Sequence, residues 1–217
     1  MKKYISLLLQ ILLLVGLFIV YSLPSAFIML GYEKIGVIAI FLVLIAFIGF
    51  YLSKTNTTTF PKLLQKKHLY YILGGYLAIY LSNIIISPFM KTDTTSNNEA
   101  IYDLATQINP VTLFFLLCVL APIGEELLFR FGIIRLFGDI TQPNDKIKVW
   151  IGLIISSIVF CIPHSPDSIP AFFAYTIMGF FLGLVYVKSK RIEVSMGLHF
   201  INNFLAYLVI VFASHLL

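Results

Sequence analysis

Charge is what this sequence is short of. Asp, Glu, Lys and Arg make up 12% of its 217 residues, against 59% hydrophobic ones. A water-soluble domain carries about 25% charged and about 45–50% apolar residues. Half the usual charge cannot cover a surface that faces water, so a soluble globular fold is excluded. Disorder is excluded too, because it needs low hydrophobicity and high charge. Cysteine is also scarce. The two present, Cys118 and Cys161, sit in apolar runs without CxxC or CxxH spacing. That argues against a disulfide framework and a cysteine-built metal site, and leaves both as small buried hydrophobes. No matched internal repeat or long low-complexity tract is present. What remains is a polytopic membrane protein, in which each charge inside the bilayer has to be explained.

What is there is a succession of apolar runs. A helix needs about 20 mostly apolar residues to cross the hydrocarbon core. Seven segments qualify: Tyr4–Leu23, Ile35–Leu52, Leu69–Phe89, Val111–Phe129 (or on to Phe137), Val149–Pro163, Pro170–Val187 and Val194–Leu217. The predicted fold is all-α, a membrane bundle of about seven or eight transmembrane helices around a central intramembrane site. Residues 1–217 read as one integral membrane domain, with N-terminal helices over about 1–90 and the functional core over about 111–217. Met1-Lys2-Lys3 and the apolar run behind it look like a signal peptide. The run is longer than the usual apolar region of about 7–15 residues, so it reads as a retained signal-anchor.

Placing the N-terminus in the cytoplasm puts 13 of the 15 Lys and Arg on the cytoplasmic side, Arg130 among them. That is what the positive-inside rule asks. The net charge of +5 is therefore assigned to basic loops beside the bilayer, and no nucleic-acid partner is expected. The lysines of the Lys54–His68 loop suit anionic headgroups. The long outer loop Lys91–Pro110 reads as a solvated connector with a short interfacial helix.

Within the apolar segments one cluster stands out: Ala121-Pro122-Ile123-Gly124-Glu125-Glu126-Leu127-Leu128-Phe129-Arg130. A carboxylate at the bilayer centre costs roughly 2.5–3.5 kcal/mol on the lenient insertion scale. Glu126 and Arg130 are four apart on one helix face and can pair. Glu125 is turned from them by about 100° and has no partner on its own helix. It must be neutral, paired with another helix, or facing water. Pro122 and Gly124 loosen the helix just before it. The alternative is a buried ion network, or a span that ends early and leaves all three at the interface. His164 closes the fifth span, with Phe160 one turn behind it. It reads either as an interfacial or capping group or as a catalyst. His199 and Asn203 are four apart on the last span and share a face, as an interhelical hydrogen-bonding pair or as donors to one site. Asn202 is turned away from His199 and is left outside the site.

Together these residues supply one free carboxyl, two imidazoles and an amide on three spans, which suits hydrolysis. A glutamate and a histidine can hold and deprotonate a water. A second histidine and an asparagine can donate to the oxyanion of a tetrahedral intermediate. No serine or cysteine has a comparable setting for a covalent nucleophile. Glu125, His164 and His199 could instead form an open His2Glu site for zinc or another divalent metal, although an HExxH helix is absent.

Glu125-Glu126…Arg130 resembles the EExxxR motif, Phe160…His164 the FxxxH motif and His199…Asn203 the HxxxN motif. They stand in the order found in the CAAX prenyl protease family and its bacterial relatives, the CPBP or abortive-infection family. The resemblance covers about Ala121 to Asn203. It implies an intramembrane endopeptidase of about eight helices, in which Glu125 and His164 activate the water, His199 and Asn203 stabilise the oxyanion, and Glu126 and Arg130 support them. Members of the family are described both as metalloproteases and as metal-independent glutamate proteases, and the expectation here is no tightly held metal. The substrate class implied is a peptide or small membrane protein in a bacterial cell membrane, in a setting of bacteriocin immunity, peptide maturation or export. The second reading is a non-catalytic bacteriocin immunity or regulatory protein of the same fold. A proton-relay transporter is the third, and no matched pair of broken half-helices supports it. The expected site is a water-filled cavity near the midplane, opening to the cytoplasmic side.

Overall fold

The computed structural model describes residues 2–55, 65–90 and 95–214. Helix α1, Lys2–Met29, turns at Gly31 into α2, Glu33–Thr55. Gly31 has φ +84°, a left-handed conformation that glycine adopts without cost. Then come α3, Lys66–Ile86, and a short helix α4, Ser96–Gln107. Helix α5 runs without a break over Pro110–Phe137. Helix α6, Lys146–Cys161, is flanked by single 3-10 turns at Pro143–Asp145 and Ile162–His164. Helices α7, Ile169–Ser189, and α8, Ile192–Ser214, complete the chain. All but α4 are long and apolar enough to cross a membrane. Among the described residues there is no strand. This is an integral membrane protein of the all-α class, with eight helices among the described residues.

Helix α5 is the centre of the bundle. In its most apolar window 61% of residues are buried, against none in α1 and 22% in α2. The neighbours approach α5 closely because small residues face it, as membrane helices do in the absence of a hydrophobic force between them. A Cβ on Gly152 of α6 would stand 3.0 Å from the Ile134 carbonyl of α5. A Cβ on Gly179 of α7 would stand 3.1 Å from the Ser157 carbonyl of α6. Three helices thus meet backbone to backbone around Arg130.

Two stretches of α5 are wound as π-helix, Phe115–Leu120 and Glu126–Ile134. The first has a cause in the sequence. Pro122 has no N–H, and the Ala121 N–H bonds the Leu116 carbonyl, five residues back. The Leu117 carbonyl is then left without a donor at the π spacing. Asn203 of α8 supplies one, its Nδ2 donating at 2.9 Å. A proline in α5 and an asparagine in α8 together settle where these helices lock.

Several sequence expectations change here. The fourth span does not stop at Phe129, and Glu125 lies near the middle of α5. Arg130 is no loop charge; it is fully buried. The fifth helix begins at Lys146, not at Val149. The Lys91–Pro110 segment, where described, is not a bare connector. Thr95 accepts from the Asn98 N–H to start α4, and α4 forms a wall of the central cavity.

Candidate active site

Glu126 is the hub of a buried polar network. Its Oε1 lies 3.4 Å from Arg130 Nη1 and 3.0 Å from His199 Nδ1. Its Oε2 accepts from the Ser195 hydroxyl at 2.5 Å. Arg130 donates from Nη2 to the Gly179 carbonyl at 3.1 Å and lies over the Phe160 ring, 4.2 Å from its centroid. Ser195 is also 2.8 Å from the Leu182 carbonyl. Glu126, Arg130 and Ser195 have no solvent exposure. Charges this deep persist only when paired and hydrogen-bonded, and here one pair ties α5, α6, α7 and α8 together.

Glu125 faces the other way, as the helical rotation predicts. Its Oε1 accepts from the Tyr21 hydroxyl of α1 at 2.6 Å. Its Oε2 is buried with no hydrogen-bond partner. His199 Nε2 stands 3.8 Å from that oxygen, too far for a hydrogen bond. His199 therefore has one ring nitrogen on each glutamate.

His164 caps the 3-10 turn at the end of α6. Its Nδ1 is 2.9 Å from the Phe160 carbonyl. A carbonyl only accepts, so Nδ1 carries the hydrogen and Nε2 of the neutral ring is bare. The ring stacks on Tyr175 of α7 at 4.5 Å between centroids. Phe160, 4.6 Å from the His164 ring and 6.0 Å from the His199 ring, spaces the two imidazoles. Ser165, just past His164, has φ 44°, and this left-handed residue turns the chain back towards α7.

Glu125, His164 and Asn203 line one cavity of about 1070 Å³. Its walls are the Met29 end of α1, the Met90 end of α3, the length of α4, the middle of α5, the turn at His164 and the C-terminal half of α8. These are the ends that carry the 95–110 segment. The cavity thus belongs to the end of the bundle opposite the basic Lys66, Arg135, Lys146 and Lys190 end, and the expectation of a site opening towards the basic loops is overturned. The physical reason is α4, which stands beside the cavity instead of lying out at the interface. Its N-terminus is tied down twice. Thr95 and Tyr175 share a hydrogen bond of 2.7 Å between hydroxyls. The Ser96 hydroxyl and amide donate to Asp167 at 2.6 and 2.8 Å. Those donors hold the Asp167 carboxyl below its usual range.

The sequence reading missed four residues. Asn202 is not turned away; it lines the cavity, and its Nδ2 donates to Asn203 Oδ1 at 3.3 Å. Ser195 is one turn before His199, and that i,i+4,i+8 row with Asn203 was a signal available in the sequence. Tyr175 and Tyr21 gave none, each being one tyrosine in an apolar run. Among the described residues, no three His, Cys, Asp or Glu side chains stand close enough together to hold a metal ion. Glu125, His164 and His199 as arranged do not fit a His2Glu zinc site, and no step is derived through a metal.

Residues 107–205 match the family model of type II CAAX prenyl endopeptidase Rce1-like proteins. Over 175 residues the chain is 25% identical to UPF0177 protein YvdC of Lactococcus lactis, covering 77% of this chain and 63% of that protein. It is 26% identical over 137 residues to the membrane-embedded CAAX protease MroQ of Staphylococcus aureus, covering 60% of this chain and 53% of MroQ. UPF0177 protein YbdI of Lactococcus lactis is 26% identical over 167 residues, covering 74% of this chain and 87% of YbdI. The matched chain spans less than two thirds of YvdC and about half of MroQ. No solved structure matches. Helix α5 with both glutamates, the His164 turn, α7 and His199 to Asn203 of α8 all fall inside the matched stretch, and over residues 107–205 the chain belongs to the Rce1-like CAAX prenyl endopeptidase family.

Proposed function

We propose that this protein is an intramembrane endopeptidase that cuts a membrane-associated peptide or protein with a water activated by Glu125 and His164. The observation that carries the reading is Glu125 Oε2. It is a buried acceptor without a partner, at the wall of a polar cavity. A water bridging polar groups separated by more than about 3.5 Å suits the 3.8 Å gap to His199 Nε2. The family of residues 107–205 and the name of MroQ support the same class of chemistry.

In this mechanism the bare Nε2 of His164 and Oε2 of Glu125 take up the water's proton as its oxygen attacks the scissile carbonyl. The proton then passes to the leaving amine. His199 holds its Nδ1 on Glu126, so a second proton on Nε2 makes it a cationic donor to the oxyanion, with the Glu126 charge beside it. Asn203 uses one Nδ2 hydrogen on the Leu117 carbonyl and has the other for the substrate. Arg130 and Ser195 keep Glu126 in place. The substrate enters from the α4 end. With the N-terminus cytoplasmic, that end faces outward.

The test is hydrolysis of a membrane-anchored reporter peptide by full-length protein in lipid. Glu125→Gln and His164→Ala are each expected to lower kcat by about 10²–10⁴-fold, the range for loss of a general base. Variants that stay folded, keep full peptide binding and cut at the wild-type rate would replace the peptidase with the non-catalytic binding reading.

A further inference from the structure

We propose that Tyr21, on the first helix, is a positioning residue for Glu125: its hydroxyl fixes Oε1 so that Oε2 alone is presented to the water. The proposal rests on the reading of Glu125 as the base. Tyr21 lies far outside the family-matched stretch, 104 residues before Glu125.

A glutamate side chain has three free torsions, and a base must present one oxygen at a fixed point. The helix of Glu125 supplies nothing to hold it. Glu126 and Arg130 face the buried network instead. Among the described residues, the Tyr21 hydroxyl gives Glu125 its one hydrogen bond, at 2.6 Å. That is the short length of an O–H donor on a carboxylate.

The phenol is itself fixed. A Cβ on Gly124 would stand 2.5 Å from Tyr21 Cδ2, so the ring rests against the α5 backbone one residue before the glutamate. Phe47 of α2 meets the ring edge-on at 6.4 Å, and Phe18 lies 6.2 Å away on the other side. A tyrosine has two torsions, and packing on these sides leaves its hydroxyl little freedom. Glycine at position 124 is what lets α1 come this close. In this arrangement α1, otherwise facing lipid, contributes one atom to the chemistry.

The test uses full-length protein in lipid nanodiscs, labelled with ¹³C-carboxyl glutamate. The infrared band of Glu125 is the one missing from Glu125→Gln. Tyr21→Phe removes only the hydroxyl, and Gly124→Ala pushes the ring away while keeping it. Both variants are expected to shift that band. Both should also lower kcat about tenfold, as loss of a hydrogen bond to a charged acceptor does, with KM unchanged. If Tyr21→Phe does not fold, Gly124→Ala carries the test. A band left in place overturns the proposal, as does a kcat within twofold of wild type. If Glu125→Gln itself cuts at full rate, the peptidase reading falls, and the band shift still reports whether Tyr21 holds the carboxyl.

Discussion

The first two helices and the fifth are equally apolar in sequence and do opposite things. Helices α1 and α2 are among the most hydrophobic spans, yet most of their large side chains face outwards, Leu12 at 57% exposure and Ile38 at 61% among them. Helix α5 carries two glutamates and an arginine and is the most buried span. In water the polar helix would be outside. In lipid the order inverts, because tails are as apolar as leucine and only protein can satisfy a charge. Hydrophobicity marks what may touch lipid, and polarity marks what must be enclosed.

That contrast sets a scale of expected effects. The largest break comes from Arg130→Ala or Glu126→Ala, which strand a buried charge. About 3–5 kcal/mol of stability should go, read as a fall in the unfolding midpoint in detergent. Next come Leu153→Ala and Leu198→Ala, both fully buried, at about 2–5 kcal/mol depending on how far each site collapses. Thr95→Val removes one hydroxyl from Tyr175 and should cost about 1 kcal/mol, seen as faster amide exchange at the start of α4. At the lipid face, Leu12→Ala and Ile38→Ala should lie within about 0.5 kcal/mol of wild type. A large effect there would mean that α1 and α2 are covered by protein, and the comparison would fail.

Acid tests the α4 end separately. The Asp167 carboxyl is held below its usual range by the Ser96 hydroxyl and amide. A lowered folded value means that the carboxylate favours the docked state above the ordinary aspartate value of about 3.9. The contribution is lost as pH falls from there through the folded value. Amide exchange over 96–99 should therefore rise in acid, and Asp167→Asn should remove the pH dependence.

How much of this was legible depends on the range of the interaction. The spans were, because an apolar run is local. So was the division of labour between Glu125 and Glu126, which is helix rotation alone. His164 and His199 were recognisable from spacing and order. Asn202 was misjudged because rotation from His199 says nothing about where α7 and α4 stand. The cavity's end was misjudged because α4 reads as an interfacial helix on its own, and its ties to Tyr175 and Asp167 run across 80 and 71 residues. Tyr21 was invisible for the same reason.

The π-wound stretch at Phe115–Leu120 has a consequence for how this chain tolerates length change. A π turn takes in an extra residue, so it acts as a phase element between the two halves of α5. Removing one residue there can let the helix rewind to the regular pitch. Everything after it would then rotate by about 100°, carrying Glu125 off the cavity wall while hydrophobicity and span length stay the same. Insertion and deletion, more than substitution, are what this segment of the chain cannot absorb.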